Sequence, residues 1–456
     1  MKKARAILCG VLAALMLAGC GGVEQVVCGS ERPDPAVDLT QYAVREAAYP
    51  VYPKEPRLED YADENGMGGD WDAYLADLNV WLEEIQALGM NVEPESGTVL
   101  DFAGRTAEKI FTGQENTVYS PISLYAALGM LTELTDGQTK QQVMELLGAA
   151  DTEALRQQIK DLWLSVYRDD DAVCRLANAA FLREDADVKQ SAADTLAEWY
   201  YASSYRVPMG TEEADRAIAG WLNQQTGGLL SEETGNIRTD ADNLLRLYNT
   251  IYYKAGWRAA FENGQTKADT FTAADGSEQR VDFMHLTETG GVLQGEGYTA
   301  APRRLKYGRM VFVLPDEGVT PESLLARDGF LTELTGEYSM ADVVWSVPRF
   351  DVKSSVDLKD ILKALGVTDA FDENVADFTP LTDSGAVVSS VMQAARVKID
   401  EEGVEAAAYT EIVADTTAAE EPPPVVEMNL NRPFLFVIFN SDNVPLFVGT
   451  VQTLEA

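Results

Sequence analysis

Glu401-Glu402-Gly403-Val404-Glu405-Ala406-Ala407-Ala408-Tyr409-Thr410-Glu411-Ile412-Val413-Ala414-Asp415, running on through Thr416, Thr417, Ala418 and Ala419 to Pro422, is the stretch from which the fold can be read. It joins two strand-like runs, and a connection of about twenty residues inside a folded body is usually functional or disordered. Its composition is not that of a linker, because no glycine follows Gly403 before Pro424 and no proline precedes Pro422. Every second residue from Val404 (Val404, Ala406, Ala408, Thr410, Ile412, Ala414) is small or apolar. The other parity (Glu405, Ala407, Tyr409, Glu411, Val413, Asp415) carries all the charge. A period of two sends the two sets to opposite faces of a strand, so the segment is patterned to enter a sheet with one face buried and one wet. Its alanines lose almost no side-chain entropy on ordering.

Outward from this stretch the chain mixes helical and strand patterns. Leu100–Phe111, Pro121–Leu134 and Val356–Leu365 have helical spacing, whereas Leu244–Tyr253, Met310–Leu314, Val343–Val347 and Phe434–Phe439 read as strands. The order is irregular rather than βαβα, which predicts an α+β domain with mainly antiparallel sheets over residues 98–456. Before it, Trp71, Tyr74, Leu75, Leu78, Trp81, Leu82, Ile85 and Leu88 recur at three- and four-residue steps. They predict one amphipathic helix, packed on the core, in an extension spanning 71–97. Residues 20–70, with Pro33, Pro35, Pro50, Pro53 and Pro56, read as a flexible acidic tether.

Residues 1–19 carry an address. Lys2, Lys3 and Arg5 precede the apolar run Ile7–Leu17, and Leu17-Ala18-Gly19-Cys20 closes it. This pattern resembles a bacterial lipoprotein signal in which Cys20 is lipidated. The resemblance implies an exported chain held at the outer face of the cell membrane by its acyl groups alone. With Cys9 removed and Cys20 lipidated, Cys28 and Cys174 remain, which is no disulfide framework.

Composition narrows the function classes. The chain has 456 residues with 36 Lys and Arg against 74 Asp and Glu, a net charge of −38, and 46% hydrophobic residues. So acidic a chain repels nucleic acid and has no basic face to neutralise phosphates. A single histidine, His285, removes two-histidine metal sites. No HExxH, GxSxG or GxxxxGK[ST] motif is present, so no enzyme is expected and no metal or cofactor is implied. Asp63, Asn65, Asp70 and Asp72 have a calcium-loop flavour, but Tyr74 stands where the bidentate glutamate belongs, and the run reads as a solvated acidic turn.

Four stretches, in order, resemble the serpins, the large inhibitors of serine and cysteine proteases. Asn116-Thr-Val-Tyr-Ser120-Pro121-Ile-Ser123, with Ala127-Leu128-Gly-Met130 and then Gly137-Gln-Thr139, is similar to the family's opening motif. Tyr248-Asn249-Thr-Ile-Tyr-Tyr-Lys254-Ala-Gly-Trp257 is similar to its N-A-x-Y-F-K-G-x-W strand. Leu314-Pro315-Asp316-Glu317 and Pro348-Arg349-Phe350 match two shorter marks, and Glu401–Thr410 followed by Arg432-Pro433-Phe434 matches the hinge and the C-terminal strand.

The resemblance implies a serpin-like fold with three mainly antiparallel β-sheets, about eight or nine helices and an exposed reactive-centre loop. It implies a monomeric suicide-substrate inhibitor whose loop is cut by a protease and then inserts into the central sheet. Glu401, Glu402, Gly403, Val404, Glu405, Ala406, Ala407 and Ala408 would be the hinge. Counting from Glu401 puts the scissile bond between Thr417 and Ala418, with Thr416-Thr417 and Ala418-Ala419 as alternatives. No Lys or Arg lies between Gly403 and Arg432, so the implied partners are serine proteases with small-residue pockets, elastase-like or subtilisin-like. Ser120, Ser123, Asn249 and Gln393 would form the polar shutter under the sheet, and Trp257 would sit near the top, where insertion begins. The chain departs from the family at Val404, usually Thr, at Tyr409, usually Ala, and at Gln393, usually His. The rival reading is a non-inhibitory serpin-fold binding module or a plain protease substrate.

Overall fold

Ser120 and Pro121 open a helix that is buried almost throughout. The Ser120 hydroxyl accepts the Ser123 N–H, and Pro121 takes the first helical position, where a missing N–H costs nothing. This helix, α3 (Pro121–Leu134), has the predicted bounds. Gly129 on it lets Ile159 close in, since a Cβ there would stand 2.0 Å from the isoleucine's Cδ1. The computed structural model describes residues 37–62, 69–389, 391–404 and 423–454. Around α3 stand α1 (Trp71–Ala87), α2 (Ser96–Ile110), α4 (Gly137–Leu147), α5 (Thr152–Val166), α6 (Gln190–Tyr200) and α7 (Glu212–Gln225), with shorter helices later in the chain.

Two sheets carry the strands. The first runs β1 (Ala43–Arg45), β5 (Ala202–Val207), β4 (Val173–Arg183), β6 (Leu245–Gly256), β14 (Gly403–Val404), β13 (Met392–Ile399) and β12 (Phe350–Asp357), with β3 (Arg168–Asp169) alongside β4. The second runs β15 (Val425–Asn429), β11 (Ser339–Pro348), β8 (Glu278–Gly295), β9 (Tyr298–Arg304), β10 (Arg309–Pro315), β16 (Phe434–Phe439), β17 (Pro445–Val451) and β2 (Thr117–Tyr119), with β7 (Lys267–Thr272) on β8. Only β4 with β5 and β11 with β15 pair in parallel among the described residues. Among the described residues the expected three sheets are two. The long strand β8 pairs with β7 and β11 and then, at Leu293–Gly295, with β9, so one continuous ladder joins strands that sequence patterns divide.

The main core fills the space around α3 and between the sheets; a smaller cluster under α7 gathers Leu39, Phe181, Tyr205, Ile218 and Trp221. The predicted helix over Val356–Leu365 is shorter than expected. Strand β12 continues to Asp357, and only Lys359–Ala364 is helical.

Two expectations for the N-terminal region change. Residues 37–57 lie against the body rather than forming a free tether: β1 pairs with β5, Leu39 is buried, and Tyr49 stacks on Trp163 at 5.7 Å between ring centroids. The signal is a scatter of isolated contacts (Val37, Leu39, Tyr42, Tyr49, Tyr52), which no window of hydrophobic period detects. Helix α1 forms, capped by Asp70, but none of its residues is buried. Trp71, Leu75 and Leu82 are exposed, and Trp81 holds on through its indole N–H to the Pro53 carbonyl.

Candidate functional site

Where the hinge leaves β13, Asp400 makes a tight turn by accepting the N–H groups of Glu402 and Gly403 on Oδ1. Gly403 takes φ +153°, a backbone conformation that residues bearing a side chain rarely adopt. The chain then reverses, and Val404 enters the first sheet opposite Ala255 of β6 and Ile399 of β13, only 2% exposed. The structure thus places the first inward residue of the loop inside the sheet.

The turn is held from three sides. The backbone N–H of Trp257 donates to the Glu402 carbonyl at 2.8 Å, its indole N–H to the Asp400 carbonyl at 2.9 Å, and the Phe261 N–H to the Glu401 carbonyl at 3.0 Å. The Glu401 side chain is 5% exposed and takes both Nε (3.0 Å) and Nη2 of Arg349, while the Thr266 hydroxyl donates to the same carboxylate. Burial pushes the Glu401 pKa up, but the Arg349 and Thr266 hydrogen bonds outweigh it and hold the carboxyl below its ordinary value. Trp257 is itself backed by Arg303. That buried guanidinium lies 4.9 Å from the indole and 4.0 Å from the Phe261 ring and pairs with Glu288 at 3.0 Å.

Past Val404 the sheet has a seam. Strand β6 is paired along its length to β4, and β13 to β12, yet among the described residues no ladder pair joins β6 directly to β13. On the α3 side a cavity of about 40 Å³ lies under the seam, between Ser123, Leu128, Leu247, Asn249, Val391 and Gln393. Gln393 grips the start of α3, accepting the Ser120 N–H at 3.0 Å and donating to the Ser120 carbonyl at 3.1 Å. Asn249 turns its amide to Asn178, which donates to the Tyr200 carbonyl. The buried Ser123 Oγ and Asn249 Oδ1 have no partner among the described residues.

Of the residues singled out from sequence, Ser123, Asn249 and Gln393 line this cavity, Ser120 is held beside it by Gln393, and Trp257 stands at the other end of the seam with Glu401, Glu402, Gly403 and Val404. Glu405, Ala406, Ala407, Ala408, Thr416, Thr417, Ala418, Ala419 and Cys20 lie outside the described residues. Residues missed from sequence are Arg349, Thr266, Asp400, Asn178 and Arg303. Arg349 sits 52 positions before Glu401, and its only signal is a basic residue in the Pro348-Arg349-Phe350 mark. Beyond the loop, Val425 begins β15 on the second sheet's edge, beside Asp342.

A family model described as serpin (serine protease inhibitor) matches residues 98–454. The chain is a serpin. Wheat (Triticum aestivum) Serpin-Z1A is 29% identical over 375 residues, covering 77% of this chain and 94% of that protein. Plasminogen activator inhibitor 1 of Neovison vison is 28% identical over 355 residues, 74% of this chain and 87% of its own. The native crystal structure of tengpin, a thermophilic serpin, superposes with a TM-score of 0.71 at 25% identity, covering 78% of this chain and 93% of tengpin. The family is one of protease inhibitors in general, though some serpins do not inhibit.

Proposed function

We propose that this serpin inhibits serine proteases of small-residue specificity, elastase-like or subtilisin-like, by trapping them as acyl-enzymes. The observation that carries the proposal is the position of Val404, buried in the ladder at the head of a seam whose two facing edges are unpaired among the described residues. The target's serine hydroxyl attacks the Thr417 carbonyl, the amine of Ala418 departs with a proton, and an ester links the protease to Thr417. The freed strand then enters the seam. Serpin loop insertion is itself a standard instance of strand addition to a sheet.

The register supports this reading. Val404 faces Ala255 and Ile399; continued antiparallel in the inserted form, Ala406 meets Tyr253 and Val397, Ala408 meets Ile251 and Ala395, and Thr410 meets Asn249 and Gln393. Tyr253, Ala255, Val397 and Ile399 belong to the main core, so the small, apolar parity is the one that enters it. Thr410 arrives with a hydroxyl beside the unpartnered Asn249 Oδ1. Dragging the esterified protease along the sheet distorts its oxyanion hole, and small displacements there cost orders of magnitude in deacylation rate.

Incubation with an elastase-like protease gives a denaturant-stable adduct of summed mass. A clipped serpin alongside fully active protease would favour the substrate reading instead. We also propose that Cys20 anchors the chain at the outer membrane face; a palmitate analogue fed to expressing bacteria labels the unaltered chain and not Cys20→Ser.

A further inference from the structure

The face of the first sheet turned away from α3 carries a larger cavity, about 330 Å³, beneath α7 and the connection after it. Its floor includes Tyr248 and Thr250 of β6 and Met392 and Ala394 of β13, so it spans the seam, and Arg238 and Arg246 stand at its edge. The hydroxyl of Thr250, 2% exposed, has no partner among the described residues. Among the described residues both arginines donate to neutral oxygens there: Arg246 to Asn243, the Tyr248 hydroxyl and the Arg238 carbonyl, Arg238 to the carbonyls of Gly235 and Ile237. Nearer Val404, Lys254 of β6 and Lys398 of β13 flank the seam, and no carboxylate among the described residues pairs with either. In a chain with 36 basic and 74 acidic residues, four cations at this cavity and seam with no carboxylate partner among the described residues are a distinct feature.

We infer that this outer face is a receptor for three side chains of the chain's own loop: Glu405, Tyr409 and Glu411. The inference rests on the insertion reading above and adds what selects the inserting strand. By the register of Gly403 with Gly256, Val404 with Ala255 and Val404 with Ile399, Glu405 comes between Lys254 and Lys398. Tyr409 comes between Thr250 and Ala394, and Glu411 between Tyr248 and Met392, with Arg246 one pair along on the same face. The phenol ring of Tyr409 fills the cavity and leaves the Thr250 hydroxyl a polar neighbour, while the two carboxylates meet the cations. The tyrosine that departs from the family's alanine is matched by a cavity large enough to hold it.

The test uses full-length uncleaved serpin and synthetic peptides spanning 404–414, with annealing followed by native gel mobility and thermal midpoint. The unaltered peptide anneals and raises the midpoint; the Glu411→Arg peptide anneals about 10-fold more slowly, and the Tyr409→Ala peptide about 3-fold. With Arg246→Glu serpin, shown folded by circular dichroism, the order reverses, and the Glu411→Arg peptide anneals faster than the unaltered one. Equal rates for all peptides on the unaltered serpin overturn the inference while leaving insertion intact. Failure of every peptide, the unaltered one included, overturns insertion itself. Equal rates together with an Arg246-dependent rise in midpoint on adding decanoate assign the cavity to a small carboxylate and overturn the inference as well.

Discussion

At the scale of single residues, Glu401 has the sharpest consequences. Its carboxylate is buried, and Arg349 is its one cationic partner among the described residues. Arg349→Ala leaves that charge without its guanidinium and, since Arg349 itself is half exposed and partly screened, lowers the stability of the uncleaved protein by about 1–3 kcal/mol, read by urea denaturation. The sign with pH follows from the depressed folded-state pKa. The stabilisation is full above the unfolded glutamate value of about 4.3 and is lost as pH falls through the lower folded value. Arg349→Ala and the unaltered protein therefore converge in stability once the pH has fallen through that lowered value, where protonated Glu401 no longer needs the guanidinium. Gln393 is the second such residue. Gln393→Ala strips both hydrogen bonds from the Ser120 backbone and costs about 1–3 kcal/mol, whereas Gln393→His retains a donor or acceptor and costs less.

Among the elements, the short strand β14 and the N-terminal strap are the ones whose placement could not be judged by length. Two residues make a poor strand, yet β14 is held between long neighbours and by the turn at Asp400. Val404→Lys puts an ammonium where a valine is 2% exposed, so the hinge stays out of the sheet. The expected result is a cleaved serpin without a raised thermal midpoint and without adduct. The strap rests on a different device. Gly220 on α7 gives Val37 its seat, since a Cβ there would stand 2.3 Å from the valine Cγ2. Gly220→Val pushes the strap off α7, and limited proteolysis then cuts within 37–57 at least about 10-fold faster, while the helix itself persists.

For the whole molecule, the proposed insertion makes the native state one of two packings. About ten loop residues joining two ladders, at about 1 kcal/mol net per hydrogen bond, make the inserted form more stable by on the order of 10 kcal/mol. Cleavage of the loop by any protease of suitable specificity therefore raises the thermal midpoint by roughly 10 °C. A midpoint unmoved by clean cleavage would show that the seam does not open. On that proposal the uncleaved form persists because widening the seam to admit a full strand must first break the Gln393 grip on α3 and the aromatic packing around Trp257 and Arg303, a kinetic barrier.

Much of this architecture was legible along the chain. The helix Pro121–Leu134, the strands around Leu245–Gly256 and Phe434–Phe439, and the alternation from Val404 onward are local properties, set by capping, by period and by β-branched content, and these act over a few residues. Ion pairs and seams are not local. Arg349 reaches Glu401, Gln393 reaches Ser120 and Val37 reaches Gly220 only because the sheets and helices bring distant segments within hydrogen-bond or van der Waals range. The exposed face of α1 carries the same lesson in reverse. Its apolar period encodes a helix, but whether that stripe meets a core depends on what else the fold puts beside it, and packing is a property of neighbours rather than of the stripe.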